Sequence, residues 1–388
     1  MALAVSVSDS DSSSPRTSGL SVRVEENLSI IRAFASASGK CSNRKHSHTF
    51  VIQGIKFGRG DNIIISVANL IWLSSLVDGV IYLPPWVWSS GIFRHLRLGF
   101  LREIFCFSTV GMHTPNVIKL TSANIYSIKR VYKHSELAHF LPPLTDAVIA
   151  EAARIHARVY STIFSWPDEN ILDAAKDIVD FLGGEYNAVH IRSFEETCPC
   201  LYCRLTNVSH FSSREVPVDS PKWQILKKYD VYPKNCTVPG ESKCWSDLEY
   251  SHPLCNMTSA SLAEIINLGN RTHYPLYIVA DNLHSAHTKQ LIHGLGAFSW
   301  HNKELEHIRR SHGITSEDAI AALDLVLLIH SGFFIQNTIS TYSMIACILR
   351  QVLDLPTVPI PEDQPLEYQE EHGPGVWVSC GAVRDALW

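Results

Sequence analysis

The chain lacks several features that would have decided its class at once. None of its apolar runs reaches the about eighteen residues a helix needs to span a bilayer. Charged residues make up only 18% of its 388 residues, below the usual quarter, and the net charge is −5. That balance gives no electrostatic case for a nucleic-acid partner. The nineteen histidines form no cluster at ligand spacing. There is no G-x-G-x-x-G fingerprint, so a dinucleotide-binding reading is weak, and no internal repeat. Met1 to Val7 is apolar for too few residues, without a basic flank, to read as a secretion signal.

Hydrophobic residues at 46% and aromatics at 10% are enough for sizeable cores, and the length suits two ordinary domains. Six of the ten cysteines (Cys198, Cys200, Cys203, Cys236, Cys244, Cys255) crowd into one segment. N-glycosylation sequons stand at Asn27, Asn207, Asn235, Asn256 and Asn270, four of them in or beside that segment. Together they suggest a disulfide-tied, glycosylated surface region in an oxidising compartment, the endoplasmic reticulum or Golgi lumen, with the entry signal not visible in this chain. The rival reading is zinc at Cys198-Pro-Cys200-Leu-Tyr-Cys203, but a second cysteine knuckle is missing.

Residues 1–47, rich in Ser and charge, are expected to lack regular structure. A strand at 49–53, a glycine-containing loop, an apolar helix from Ile63 to about Val77 and a strand at 80–83 make a βαβ unit. Helices are expected over 144–163 and 169–182, the latter stopped by Gly183-Gly184. A buried strand follows at 188–192, then the cysteine-rich insertion at 198–260. Regularity returns with a helix at 261–268, a strand at 276–280 and a helix at about 284–293.

The most informative stretch is Asp324 to Arg350. An apolar run at 325–329 reads as buried helix or strand, and Phe333-Phe334-Ile335 as a short buried strand. Ser340 and Thr341 stand where N-cap residues belong, ahead of a helix over 342–353. A strand leading to hydroxyl residues at a helix start is a ready anion site. Beyond Asp354, four prolines rule out continued helix, and 356–388 is expected to be a surface tail. The fold class expected is α/β: two Rossmann-like domains facing across a cleft, one at 48–168 and one at 169–355.

Three blocks in order resemble the GDP-fucose protein O-fucosyltransferases, most closely the type acting on EGF-like domains. Gly58-Arg59-Gly60-Asp61-Asn62 leads through an apolar helix to Leu83-Pro84-Pro85-Trp86. His190-Ile191-Arg192 is followed by Glu196. Asp324 precedes Phe334-Ile335-Gln336-Asn337-Thr338-Ile339-Ser340-Thr341-Tyr342-Ser343. The resemblance spans roughly Phe50 to Arg350. Gly60-Asp61, Phe194 and Gln336 depart from it, each altering space near the presumed site.

The resemblance implies a GT-B-type glycosyltransferase fold and fucose transfer from GDP-fucose, with inversion, to Ser or Thr of a folded, disulfide-rich domain. GDP-fucose is then the donor substrate, with no tightly bound cofactor, and the absence of an Asp-x-Asp pair from these blocks points to no obligatory metal. Arg192 would hold the diphosphate with its planar fork. Ser340, Thr341 and Tyr342 would add donors, while Gly58 and Arg59 line the donor loop. His190 and Asp324 would contact the guanosine, and Asn62 the fucose and acceptor hydroxyl. Asp61 and Glu196 are candidates for the general base, although Asp61 is equally placed to cap a helix. Two other readings stay open: transfer to a glycan, and an inactive binding or chaperone module on the same fold.

Overall fold

The computed structural model describes residues 20–36, 48–52, 60–77, 79–83, 95, 101, 116–121, 125, 131–132, 134–165, 167–191, 259–280, 283, 286–300, 302–337 and 340–359. It is a mixed α/β structure built on two parallel sheets. The first takes β1 (His48–Ile52), β2 (Gly79–Tyr82) and β3 (Asn116–Leu120) in the order β2-β1-β3. The second takes β4 (Asn187–Ile191), β5 (Leu276–Ala280), β6 (Phe333–Gln336) and β7 (Thr357–Pro359) in the order β5-β4-β6-β7. All five strand pairings are parallel, with Ala188 opposite Tyr277 on one side and Phe334 on the other.

The helix between β1 and β2, α2 (Gly60–Leu76), is apolar almost all round, and 64–74 are buried on every face. Of its buried polar residues, Asn69 is answered across the core. Asn69 donates to the Ile125 carbonyl (2.8 Å) and its amide oxygen meets His156 Nε2 (2.8 Å) on α3 (Asp146–Phe164). His156 Nδ1 meets the Tyr160 hydroxyl at 2.9 Å. Burial lowers the His156 pKa to about 3, so the imidazole is neutral and structural. Next comes α4 (Glu169–Phe181), which ends in left-handed Gly183 and Gly184 (φ 82° and 89°), where a Cβ would be strained.

The second sheet is covered on both faces. Val189, Ile191, Ile278, Phe333 and Ile335 pack with α5 (Ser259–Leu268) and Leu291 of α6 (Ala286–Leu295). Ala188, Tyr277, Val279 and Phe334 face the other way. There they join one continuous core with Phe50 and Ile81 of the first sheet, α2, α3, α4, α8 (Glu317–His330) and α9 (Thr341–Val352). A short polar helix, α7 (Lys303–Ser311), precedes α8.

Two expectations need correction. Leu20–Ser36, expected to lack regular structure, is a helix, α1. Val24, Leu28, Ile31 and Ala35 recur at helical spacing and are buried against the core, a stripe hidden by the serines and charges around it. Asn27 on the same helix is 7% exposed, and its Nδ2 lies 3.0 Å from His330 Nδ1. A glycan cannot occupy that sequon in the folded chain.

The second correction concerns 357–359, expected in a surface tail. They pair with β6 as an edge strand, where a proline's missing N–H is tolerated. Arg350 holds that strand in place. Fully buried, it donates to the carbonyls of Leu328 (3.1 Å), Ile329 (2.9 Å), Ser331 (2.6 Å) and Pro356 (2.6 Å), and to Thr357 Oγ1 (3.1 Å). The negative end of the α8 dipole thus neutralises a cation that no carboxylate meets in these contacts.

Candidate functional site

In the second sheet, β4 comes first and sits centrally; the chain then moves to β5 on one side and crosses to β6 on the other. The carboxyl ends of β4 and β6 therefore flank a topological switch point, where open α/β sheets bind ligands. His190 lies at the end of β4 and Gln336 at the end of β6, both buried. The start of α9 closes the crevice: Ser340 is its N-cap, in extended conformation (φ −95°, ψ 120°), and makes no side-chain cap hydrogen bond.

His190 is tied to that helix start. Its Nδ1 and Ser343 Oγ share a hydrogen bond of 2.7 Å, and its ring lies 5.1 Å from the Tyr342 ring at 52°. With the serine occupying Nδ1, Nε2 is the nitrogen on the other side of the ring. The Tyr342 hydroxyl donates to the Ala321 carbonyl on α8. Its phenol therefore serves α8, and the ring serves His190. Ser340, Asn337 and Ser343 are buried around the same turn.

Asp324 sits one layer deeper, in mid-α8. Tyr277 donates to its Oδ1 (2.6 Å) and Trp300 Nε1 to its Oδ2 (3.0 Å). Burial raises its pKa to about 7; the bonds from Tyr277 and Trp300 and the charge of Arg309 oppose that rise. Both oxygens thus have partners within the protein. Tyr277 and Trp300 also stack edge to face, with ring centroids 5.8 Å apart.

The structure therefore joins His190 with Ser343 and Tyr342 at the start of α9, and Tyr342 is tied in turn to α8, the helix that carries Asp324. Thr341 begins α9. Asp61 and Asn62 occupy the first turn of α2, after the carboxyl end of β1. Gly58, Arg59, Arg192 and Glu196 lie outside the described residues, as do Phe194 and the six clustered cysteines. Ser343, which holds His190, had a sequence signal in its place within the Ser-Thr-Tyr-Ser run. The partners of Asp324 had none, because Tyr277 and Trp300 come from other elements. Among the described residues, no group of three or more His, Cys, Asp or Glu is placed to hold a metal ion. No described helix is long and apolar enough to cross a membrane.

No family model matches the chain, and no curated protein matches it. Solved structures do. The apo form of POFUT1 is similar at a TM-score of 0.43 and 10% identity, over 82% of this chain and 99% of that one. POFUT1 in complex with GDP-fucose gives 0.42 and 11%, over 84% and 100%. An Arg-to-Lys mutant of Arabidopsis thaliana FUT1 in complex with GDP gives 0.41 and 10%, over 89% and 80%. Likeness of this depth leaves the function to the residues.

Proposed function

We propose that this chain is a glycosyltransferase that takes fucose from GDP-fucose. One observation carries the reading: two of the stretches that resemble the O-fucosyltransferases, about 150 residues apart, meet at the switch point through the His190–Ser343 hydrogen bond. In this reading the two parallel sheets are the halves of a GT-B arrangement, with the acceptor on the side of the first. Arg192, the residue after β4, takes the diphosphate, whose charge grows as the sugar–oxygen bond breaks. The amino end of α9 adds its dipole, so the leaving group needs no resident metal. His190 serves the guanosine and Asn62 the acceptor side, while Asp324, engaged by Tyr277 and Trp300, braces α8 behind the site. The acceptor is a Ser or Thr hydroxyl of a secreted, disulfide-rich domain such as an EGF-like one. Its proton goes to Asp61 or Glu196, and the sugar carbon inverts.

Titration calorimetry of the full chain with GDP, GDP-fucose and GDP-mannose tests the donor. GDP and GDP-fucose are expected to bind, with affinity falling about ten- to a hundredfold in both Arg192→Ala and His190→Ala, the loss of one charge-assisted or buried hydrogen bond. No binding by well-folded protein overturns the donor assignment. Gln336, buried where the resembling family has glycine, favours a second reading in which GDP binds without turnover. Release of GDP from GDP-fucose in the presence of an EGF-like domain separates the two.

A further inference from the structure

Two of the five sequons lie among the described residues, and the fold treats them in opposite ways. Asn27 is buried with its amide engaged, as described above. Asn270 ends α5. Its N–H donates to the Asn267 carbonyl (2.9 Å) and the Arg271 N–H to the Ile266 carbonyl (3.0 Å), with φ 53° at Asn270. These two bonds, spanning three and five residues around a left-handed residue, are a Schellman cap, and asparagine is the residue other than glycine that takes this position readily. The cap turns Asn270 outward. Asn270 and Thr272, the two residues the sequon needs, are both exposed.

Two neighbours add to this. Leu268, two residues before, is 80% exposed, the most exposed large hydrophobic side chain among the described residues. Arg271 is anchored: it pairs with Glu185 (2.6 Å), lies over the Tyr274 ring (4.0 Å), and its carbonyl accepts from Asn187 Nδ2 (2.9 Å) at the start of β4. The turn is thus fixed at the amino ends of β4 and β5, the opposite edge from the His190 crevice.

We infer that Asn270 carries an N-linked glycan whose stem covers Leu268. In the transfer step the Asn270 amide nitrogen bonds to the anomeric carbon of a polyprenyl-diphosphate-linked oligosaccharide. The carbon–oxygen bond to the diphosphate breaks, the diphosphate leaves with the electron pair, and a base of the transferring enzyme takes the amide proton. A bulky, hydrated group over an isolated leucine keeps that surface from self-association. It also stands clear of the proposed donor site, so the inference does not depend on what that site binds.

The full chain, secreted from cultured eukaryotic cells behind a cleavable signal, is treated with peptide N-glycosidase in ¹⁸O-water and its peptides are read by mass spectrometry. The label that marks a released glycan is expected at Asn270 and not at Asn27. Thr272→Ala, which keeps the capping asparagine, should remove it. After glycan removal the protein should self-associate more, and Leu268→Ser should suppress that increase. Recovery of Asn270 unlabelled from folded, secreted protein overturns the inference, whether or not other sequons are occupied. A label at Asn270 with no GDP binding leaves it intact and removes only the donor proposal.

Discussion

Asp324 illustrates how much a single residue's surroundings add to its identity. As sequence it is an acidic residue before an apolar run; in place it is a carboxyl with two neutral donors and almost no water. Held up to about 7 from the ordinary 3.8, it keeps its proton in the folded chain over a pH range where the unfolded chain has lost it. Below pH 4 both states are protonated and the group contributes nothing to the pH dependence. As pH rises from 4 to 7 the unfolded state alone ionises, so stability falls, and above 7 the loss levels off. A shift of this size corresponds to roughly 4 kcal/mol at most. Asp324→Asn should remove the slope: its amide oxygen can accept from Trp300 and its nitrogen can donate to the Tyr277 oxygen. Urea midpoints of both proteins between pH 4 and 8 would show it, and parallel curves would refute it.

Among the elements, α8 and α9 carry the arrangement of the site, and Arg350 joins them. Arg350→Met keeps bulk but strands the carbonyls at the α8 terminus and frees β7. It should cost about 3 kcal/mol or more, seen as a lowered urea midpoint, and an unchanged midpoint would show that water replaces the guanidinium at no cost. The first βαβ unit has a tighter constraint. A Cβ on Gly79 would stand 2.3 Å from Phe50 Cε2 in the buried heart of the sheet. Gly79→Ala should destabilise by about 1 to 3 kcal/mol through displacement of that ring, and Phe50→Leu in the same chain should recover part of it. Most of these elements were legible beforehand. Apolar runs mark α2 and β4 to β6, the Ser340-Thr341 pair marks the start of α9, and Gly183-Gly184 marks the end of α4. α1, β3, α7 and β7 were not legible. A four-residue stripe among serines needs a surface to bury against, and an edge strand containing Pro359 is recognisable only beside its partner.

At the scale of the whole molecule, the core runs unbroken from the first sheet through α1, α2, α3, α8 and α9 to the second. Unfolding either sheet would strip apolar surface from the other, so both should melt together. Scanning calorimetry is expected to give a single transition with calorimetric and van't Hoff enthalpies in agreement, and two resolved transitions would show independent halves. The sequence alone determined most of the helices and strands that flank the site, because apolar patterning and capping are local and survive in one dimension. It also marked His190, Ser340, Thr341 and Tyr342 as chemistry-bearing residues at strand and helix ends. Only the tertiary structure decided that His190 meets Ser343, that Asp324 is claimed by Tyr277 and Trp300, and that Asn27 is closed while Asn270 is open. Those outcomes depend on which surfaces remain in contact with water once distant elements pack, and no local pattern encodes that.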